Sequence, residues 1–253
     1  MISLKLNPTT VVTPESIARH TVQQFFSYEG TDKRDALTID SLKAGWSVFV
    51  PFRVSGPKWF GPDLVAKVLT DPKHRKKLRE ETQAAAIAAK VGVAPPVHAR
   101  DADLLLTSFV KARDLPNDDL DADAKVLGVM AVLARLHQAT RAPECPQKPA
   151  VSMQARVRAQ IAYANRLGLL TSDESKFIVC EVQKSAQGLA AMNRPQVLTH
   201  GDFQHRNILL DEADRVWLID FEDTGMGEAM TDLAHLTTEV KTPFMALPRF
   251  AKL

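Results

Sequence analysis

The sequence predicts an α+β protein of two lobes, with strands gathered in the first and helices in the second. Three observations carry that expectation. Up to about residue 110 the apolar residues fall mostly in short runs, near 37–43, 47–54, 64–69 and 103–110. Beyond residue 118 they recur at helical spacing over long stretches. The 253 residues can bury a large core and suffice for two lobes, expected at 1–108 and 109–253.

Taken in order, Thr13-Pro14-Glu15 opens a helix to about Phe26, with a cap, a proline in the first turn and an acid near the positive end. Three strands follow. The third, Pro62 to Leu69, carries one charged residue, Lys67, among apolar neighbours. A lone lysine in a buried strand costs free energy unless paired; the alternative is an edge strand with its amine in water. Asp71-Pro72 caps a long helix from Lys73 to Lys90 that contains Glu80 and Glu81. Past Gly92-Val-Ala-Pro-Pro96, two further strands end where Asp103–Val110 runs into Lys111–Leu115. Val126, Leu127, Met130, Val132, Leu133 and Leu136 mark a helix over Asp118–Gln138. The Pro143–Pro149 stretch breaks the chain, and Ser152–Leu167 and Ser172–Met192 read as helices.

The most informative stretch is Leu198-Thr-His-Gly-Asp-Phe-Gln-His-Arg-Asn-Ile-Leu-Leu210, followed by Val216-Trp-Leu-Ile-Asp-Phe-Glu222. Val197–Thr199 reads as a short strand, and Gly201 lets the backbone turn after His200. Asp202 then lies in a loop that Asn207 closes. Ile208–Leu210 and Val216–Ile219 form an antiparallel hairpin across the polar turn Asp211–Asp214, which brings Asn207 and Asp220 to one end of the ladder. A carboxylate that can deprotonate a hydroxyl, beside an amide oxygen and a second carboxylate that can hold magnesium, suits phosphoryl transfer from a nucleotide.

His-Gly-Asp-x4-Asn followed by Ile-Asp-Phe-Glu resembles the aminoglycoside phosphotransferase and choline/ethanolamine kinase superfamily, where protein kinases have His-Arg-Asp-x4-Asn and Asp-Phe-Gly. The resemblance implies a two-lobed protein-kinase-like fold: a nucleotide-binding, antiparallel-sheet N-lobe (1–108) and a mainly helical C-lobe (109–253) with the catalytic loop and metal-binding hairpin. It makes Asp202 the catalytic base and Asn207 and Asp220 the metal ligands. Lys67 becomes the cation on the nucleotide phosphates. Its partner is Glu81 in preference to Glu80, from the interval to the family's Gly-x-Ala-Pro element, matched by Gly92–Pro95. In the loop Leu42–Pro51, Gly45 at the turn and Ser47 as a phosphate donor are the candidates for covering the nucleotide, although a single glycine also suits a plain hairpin. Ser108 and Val110 would offer backbone groups to the base. His200 would anchor the loop and Asp232 brace it, with His137 hydrogen-bonding nearby. Arg206 would either neutralise the transferring phosphoryl group or pair with Glu222 or Asp223.

The resemblance therefore implies an enzyme that moves phosphate from ATP (or GTP), with Mg2+, to a hydroxyl of a small molecule. Acids at Asp118, Asp119, Asp121, Asp123, Glu222 and Asp223 would attract an amino alcohol or aminoglycoside-like acceptor, though the first four equally complement a helix dipole. A protein-modifying kinase and a catalytically silent nucleotide-binding module are the alternatives. The presence of Lys67, Asp202, Asn207 and Asp220 together counts against the silent one.

Composition narrows the partners. A net charge of +2 is too small to imply nucleic-acid binding, and the basic run Lys73–Arg79 reads as the wet face of a helix. Cys145 and Cys180 are far apart, without metal-type spacing. No apolar run approaches membrane-spanning length and the start lacks a signal-peptide pattern, so no membrane partner and a cytoplasmic location are expected. Nothing in the sequence fixes the oligomeric state.

Overall fold

The computed structural model describes residues 13–28, 37–42, 49–115, 123–140, 153–191 and 194–239. The chain divides into two compact units, one formed by 1–89 with 95–111 and the other by 90–94 with 112–253.

The first unit contains helix α1 (Pro14–Tyr28), strands β1 (Thr38–Ser41), β2 (Phe49–Ser55) and β3 (Leu64–Leu69), helix α2 (Arg75–Lys90), and strands β4 (Val97–Arg100) and β5 (Leu104–Ser108). The α1 helix starts where expected. Ser16 N–H donates to Thr13 Oγ1 at 3.1 Å while Thr13 N–H donates to Ser16 Oγ at 3.0 Å, a reciprocal cap ahead of a proline at the first helical position. The five strands form one sheet in the order β1-β2-β3-β5-β4, antiparallel throughout.

The alternation of side chains across this sheet places its chemistry. Phe52, Ala66 and Leu106 stand in one row across β2, β3 and β5. With Val54, Val68, Leu104 and Ile39 they form a buried cluster around Val22 of α1, flanked by Phe25, Phe26 and Phe60. Residues one step out of phase face the opposite way. Phe49, Leu69 and Leu105 therefore gather with Leu78 of α2. Lys67 shares that second face, so the one charged residue of β3 meets α2. A 3-10 turn, Pro72–His74, precedes the helix, with Lys73 N–H donating to Asp71 Oδ1 at 3.1 Å. The expected start at Lys73 falls in this tighter turn.

The second unit contains β6 (Ala112–Asp114), α3 (Asp123–Ala139), α4 (Met153–Arg166), α5 (Ser172–Ala191), β7 (Gln196–Thr199), β8 (Ile208–Asp211), β9 (Val216–Leu218), β10 (Gly225–Glu228) and α6 (Met230–Glu239). The expected hairpin is present: β8 pairs with β9 through Ile208 with Leu218 and Leu210 with Val216. Two strands in this unit were not read from the sequence. β6 adds to β8, and β10 pairs with β7. Arg113 and Asp114 in one, and Gly225 and Gly227 in the other, give no apolar alternation, so only long-range pairing defines these strands. Thr171 and Glu174 cap α5 reciprocally: Thr171 N–H donates to Glu174 Oε2 (2.8 Å) and Glu174 N–H to Thr171 Oγ1 (3.2 Å). No described helix is long and apolar enough to cross a membrane.

Candidate active site

In the first unit, Lys67 Nζ lies 2.5 Å from Glu81 Oε1, with side chains only 15% and 3% exposed. The ring of Phe49, aligned with Leu69 on the same face, lies 4.8 Å from the ammonium. Glu80 instead lies 3.8 Å from Lys76 as an i,i+4 pair. The choice of glutamate thus follows from helix rotation: Glu81 is on the buried stripe of α2 with Leu78, Thr82 and Ala85. Burial makes the pair interdependent, because removing one partner of a buried ion pair costs about 3–5 kcal/mol by stranding the other.

The end of β5 has an unusual ladder. Ser108 N–H donates to Pro96 O at 2.9 Å, so its carbonyl points the same way along the strand, towards Pro96. Proline has no N–H to return the bond. The Ser108 carbonyl is left without its ladder donor, while its hydroxyl meets His98 Nε2 at 2.7 Å. Phe109 N–H is taken by Asp63 O (2.9 Å), and Val110 N–H has no backbone partner among the described residues. Leu105 pairs with Lys67, so Ser108 stands three residues along, about 10 Å away.

In the second unit, one carboxylate organises the loop after β7. Asp232, fully buried in the first turn of α6, accepts from His200 N–H through Oδ2 and from Gly201 N–H through Oδ1, each at 2.9 Å. Oδ2 also lies 2.9 Å from Nε2 of the buried His137, near the end of α3. Gly201 has φ +84, and a Cβ built there would lie 2.1 Å from the carbonyl oxygen of Asp223. Glycine is therefore required twice over, by the turn and by that close approach.

Asp202 follows immediately. Its Oδ2 accepts from Gln204 Nε2 at 2.7 Å and from Asn207 Nδ2 at 2.8 Å, and Asn207 Nδ2 also donates to the Asp202 carbonyl at 2.9 Å. These bonds orient both side chains. Asp202 keeps Oδ1 clear of them, and Asn207, with its amino group committed, presents its amide oxygen elsewhere. Ile219 fixes the neighbouring strand end: its N–H donates to Asn207 O (3.0 Å) and its carbonyl accepts from His200 Nε2 (2.8 Å). The imidazole is thus protonated at Nε2, and it packs between the rings of Phe203 and Phe221. Asp220 comes next with φ +65, a left-handed turn that an aspartate tolerates better than most residues.

Of the residues anticipated, Lys67 and Glu81 are brought together in one unit and Asp202 and Asn207 in the other, with Asp220 one residue beyond the tethered Ile219. Arg206 is exposed and pairs with neither Glu222 nor Asp223. Gly45, Ser47, Cys145, Asp118, Asp119 and Asp121, and the side chain of Asp123, lie outside the described residues. Gln204 was missed; its place in the loop, two residues after Asp202, was the available signal. Among the described residues no three His, Cys, Asp or Glu side chains cluster as a metal site of their own.

The model of the phosphotransferase enzyme family (APH) matches residues 39–251. No curated protein matches the chain. Among solved structures, the chain is similar to an ethanolamine kinase of Plasmodium vivax (TM-score 0.67, 14% identity, covering 93% of this chain and 70% of that one). It is also similar to a choline/ethanolamine kinase family protein of Mesorhizobium loti (0.61, 22%, 87% and 70%). A third is the choline kinase of Streptococcus pneumoniae (0.66, 15%, 92% and 79%), also determined in complex with AMP. The fold shared with these proteins is the α+β, two-lobed, kinase-like one. With the family model spanning both the Lys67 strand and the Asp202 loop, the chain belongs to the phosphotransferase enzyme family.

Proposed function

We propose that the protein transfers the γ-phosphate of ATP to a hydroxyl of a small molecule, with 1–108 handling the nucleotide and 109–253 the transfer. The observation that carries this reading is the Asp202 carboxylate, held on one oxygen by two amides with the other oxygen clear. Asp202 Oδ1 receives the proton of the acceptor hydroxyl. The hydroxyl oxygen then bonds to the γ-phosphorus as the bond to the β-phosphate oxygen breaks, and ADP leaves.

Asn207 and Asp220 fit magnesium, since an amide oxygen with its nitrogen committed and a neighbouring carboxylate are hard oxygen donors. When bound, the ion neutralises charge on the phosphates. Lys67, held by Glu81, supplies the protein's own cation to them. Ser108 favours adenine: the adenine edge carries an amino donor where guanine carries a carbonyl oxygen, and a carbonyl deprived of its ladder donor by Pro96 suits the donor. The AMP complex of the pneumococcal choline kinase supports an adenine nucleotide.

The test is a thermal-shift screen of ATP and GTP with and without magnesium, followed by turnover with hydroxyl acceptors. Asp202→Ala should abolish transfer while ATP still binds, and Asp220→Ala should remove the magnesium-dependent part of binding. Wild-type turnover by Asp202→Ala would refute the assignment of the base.

A further inference from the structure

Phe49 is fully buried at the start of β2, and the Lys67 ammonium lies over its ring, 4.8 Å from the centroid. The sheet register makes this a diagonal contact. Pro51 pairs directly with Lys67 and Phe49 with Leu69, so the ring reaches back towards the lysine along the same face. Helix α2 closes the arrangement. Leu78 clusters with Phe49, Leu69 and Leu105, and Glu81, three residues on, shares that helix face with Oε1 2.5 Å from Lys67 Nζ. A carboxylate and a ring face therefore bracket an ammonium whose side chain is only 15% exposed.

The two partners act differently on the cation. Glu81 accepts a hydrogen bond and cancels the charge of the pair. The ring attracts the cation through its quadrupole, and it adds no formal charge. A second carboxylate at this place would repel a nucleotide phosphate. An aliphatic side chain would let the ammonium swing wholly towards Glu81.

We infer that Phe49 is a positioning residue for the phosphate-handling cation: its ring face steadies the Lys67 ammonium for the nucleotide phosphates. The inference rests on Lys67 as the cation of the proposed transfer. Because the contact is shielded from water, its loss should change the affinity for the phosphates by about fivefold to thirtyfold.

The experiment places phenylalanines with one, two and three ring fluorines at residue 49 of the full chain, which drains the ring face while nearly keeping its shape. ATP·Mg and adenosine are titrated into each protein, and the ligand-free melting temperature is recorded. The Kd for ATP·Mg should rise step by step, by about fivefold or more with three fluorines. The Kd for adenosine, which has no phosphate, and the ligand-free melt should stay unchanged. The same series at Phe52, equally buried but in the cluster on the other face of the sheet, should alter neither Kd. Phe49→Leu should lose ATP affinity relative to adenosine by at least as much as the trifluorinated ring, whatever its melt. The inference falls if ATP affinity is flat across the residue 49 series, improves with fluorination, drops in parallel with adenosine affinity, or drops equally in the Phe52 series. Failure of the wild-type protein to bind ATP·Mg would instead remove the phosphotransferase reading, and this inference with it.

Discussion

Replacing Asp232 should be the most damaging single change outside the reacting groups. In Asp232→Ala the backbone N–H groups of His200 and Gly201 and the imidazole of His137 all lose their acceptor. Each unmet buried donor costs about 1–3 kcal/mol, so about 3–6 kcal/mol is at stake after allowing for partial relaxation. That is a large share of the roughly 5–15 kcal/mol that holds a typical domain together. A thermal melt should fall by roughly 10 °C, at about 2–4 °C per kcal/mol for a protein of this size. Asp232→Asn should lose less stability, since its single oxygen still serves one or two of the three donors. Its turnover should nonetheless drop about a hundredfold, because Asp202 directly follows the unmoored residues and a displacement near 1 Å has that effect. A melt of Asp232→Ala within about 2 °C of wild type would show that water or relaxation satisfies these donors and that the bracing argument is wrong.

Gly201→Ala should cost about 1–3 kcal/mol and most of the turnover, because the new methyl would have to displace the Asp223 carbonyl now 2.1 Å from its place; wild-type activity would refute the close approach. Lys67→Ala should strand Glu81, lowering stability by about 3–5 kcal/mol and weakening productive use of ATP; the double change Lys67→Met with Glu81→Leu should recover stability without turnover, read by melting and by rate at low ATP. Asp211 is held below the usual carboxylate range by the Trp217 indole N–H first and then by the backbone N–H groups of Arg215 and Ala213. A depressed carboxyl adds stability that is complete above its ordinary value of 3.8 and is lost as the pH falls through the folded value. The melting deficit of Asp211→Asn should therefore be constant from about pH 7 to 5 and shrink only below about pH 4; a deficit that varies around neutrality would point to another group.

The sequence was legible where chemistry and local pattern coincide. The β8–β9 hairpin could be read because its apolar runs flank a polar turn, and the pairing of Lys67 could be argued from the cost of an isolated charge in a strand. The rotation that selects Glu81 over Glu80 depends on which stripe of α2 is buried, and the sheet decides that. The role of Asp232 joins residues more than thirty positions apart, at His200 and Gly201, and nearly a hundred apart at His137. Spacing along the chain does not encode such separations, and the bracing role of Asp232 was anticipated only through the family resemblance.

The two-sidedness of β3 makes its frame matter more than its letters. Ala66 and Val68 feed one apolar cluster and Lys67 faces α2, so inserting or deleting a single residue upstream in this strand would exchange the two sets. The ammonium would then be driven among Phe25, Phe26 and Phe52, and a methyl or isopropyl group would face Glu81. Such a frameshift would undo the fold and the phosphate-handling cation in one stroke, a far harsher lesion than most substitutions at the same positions.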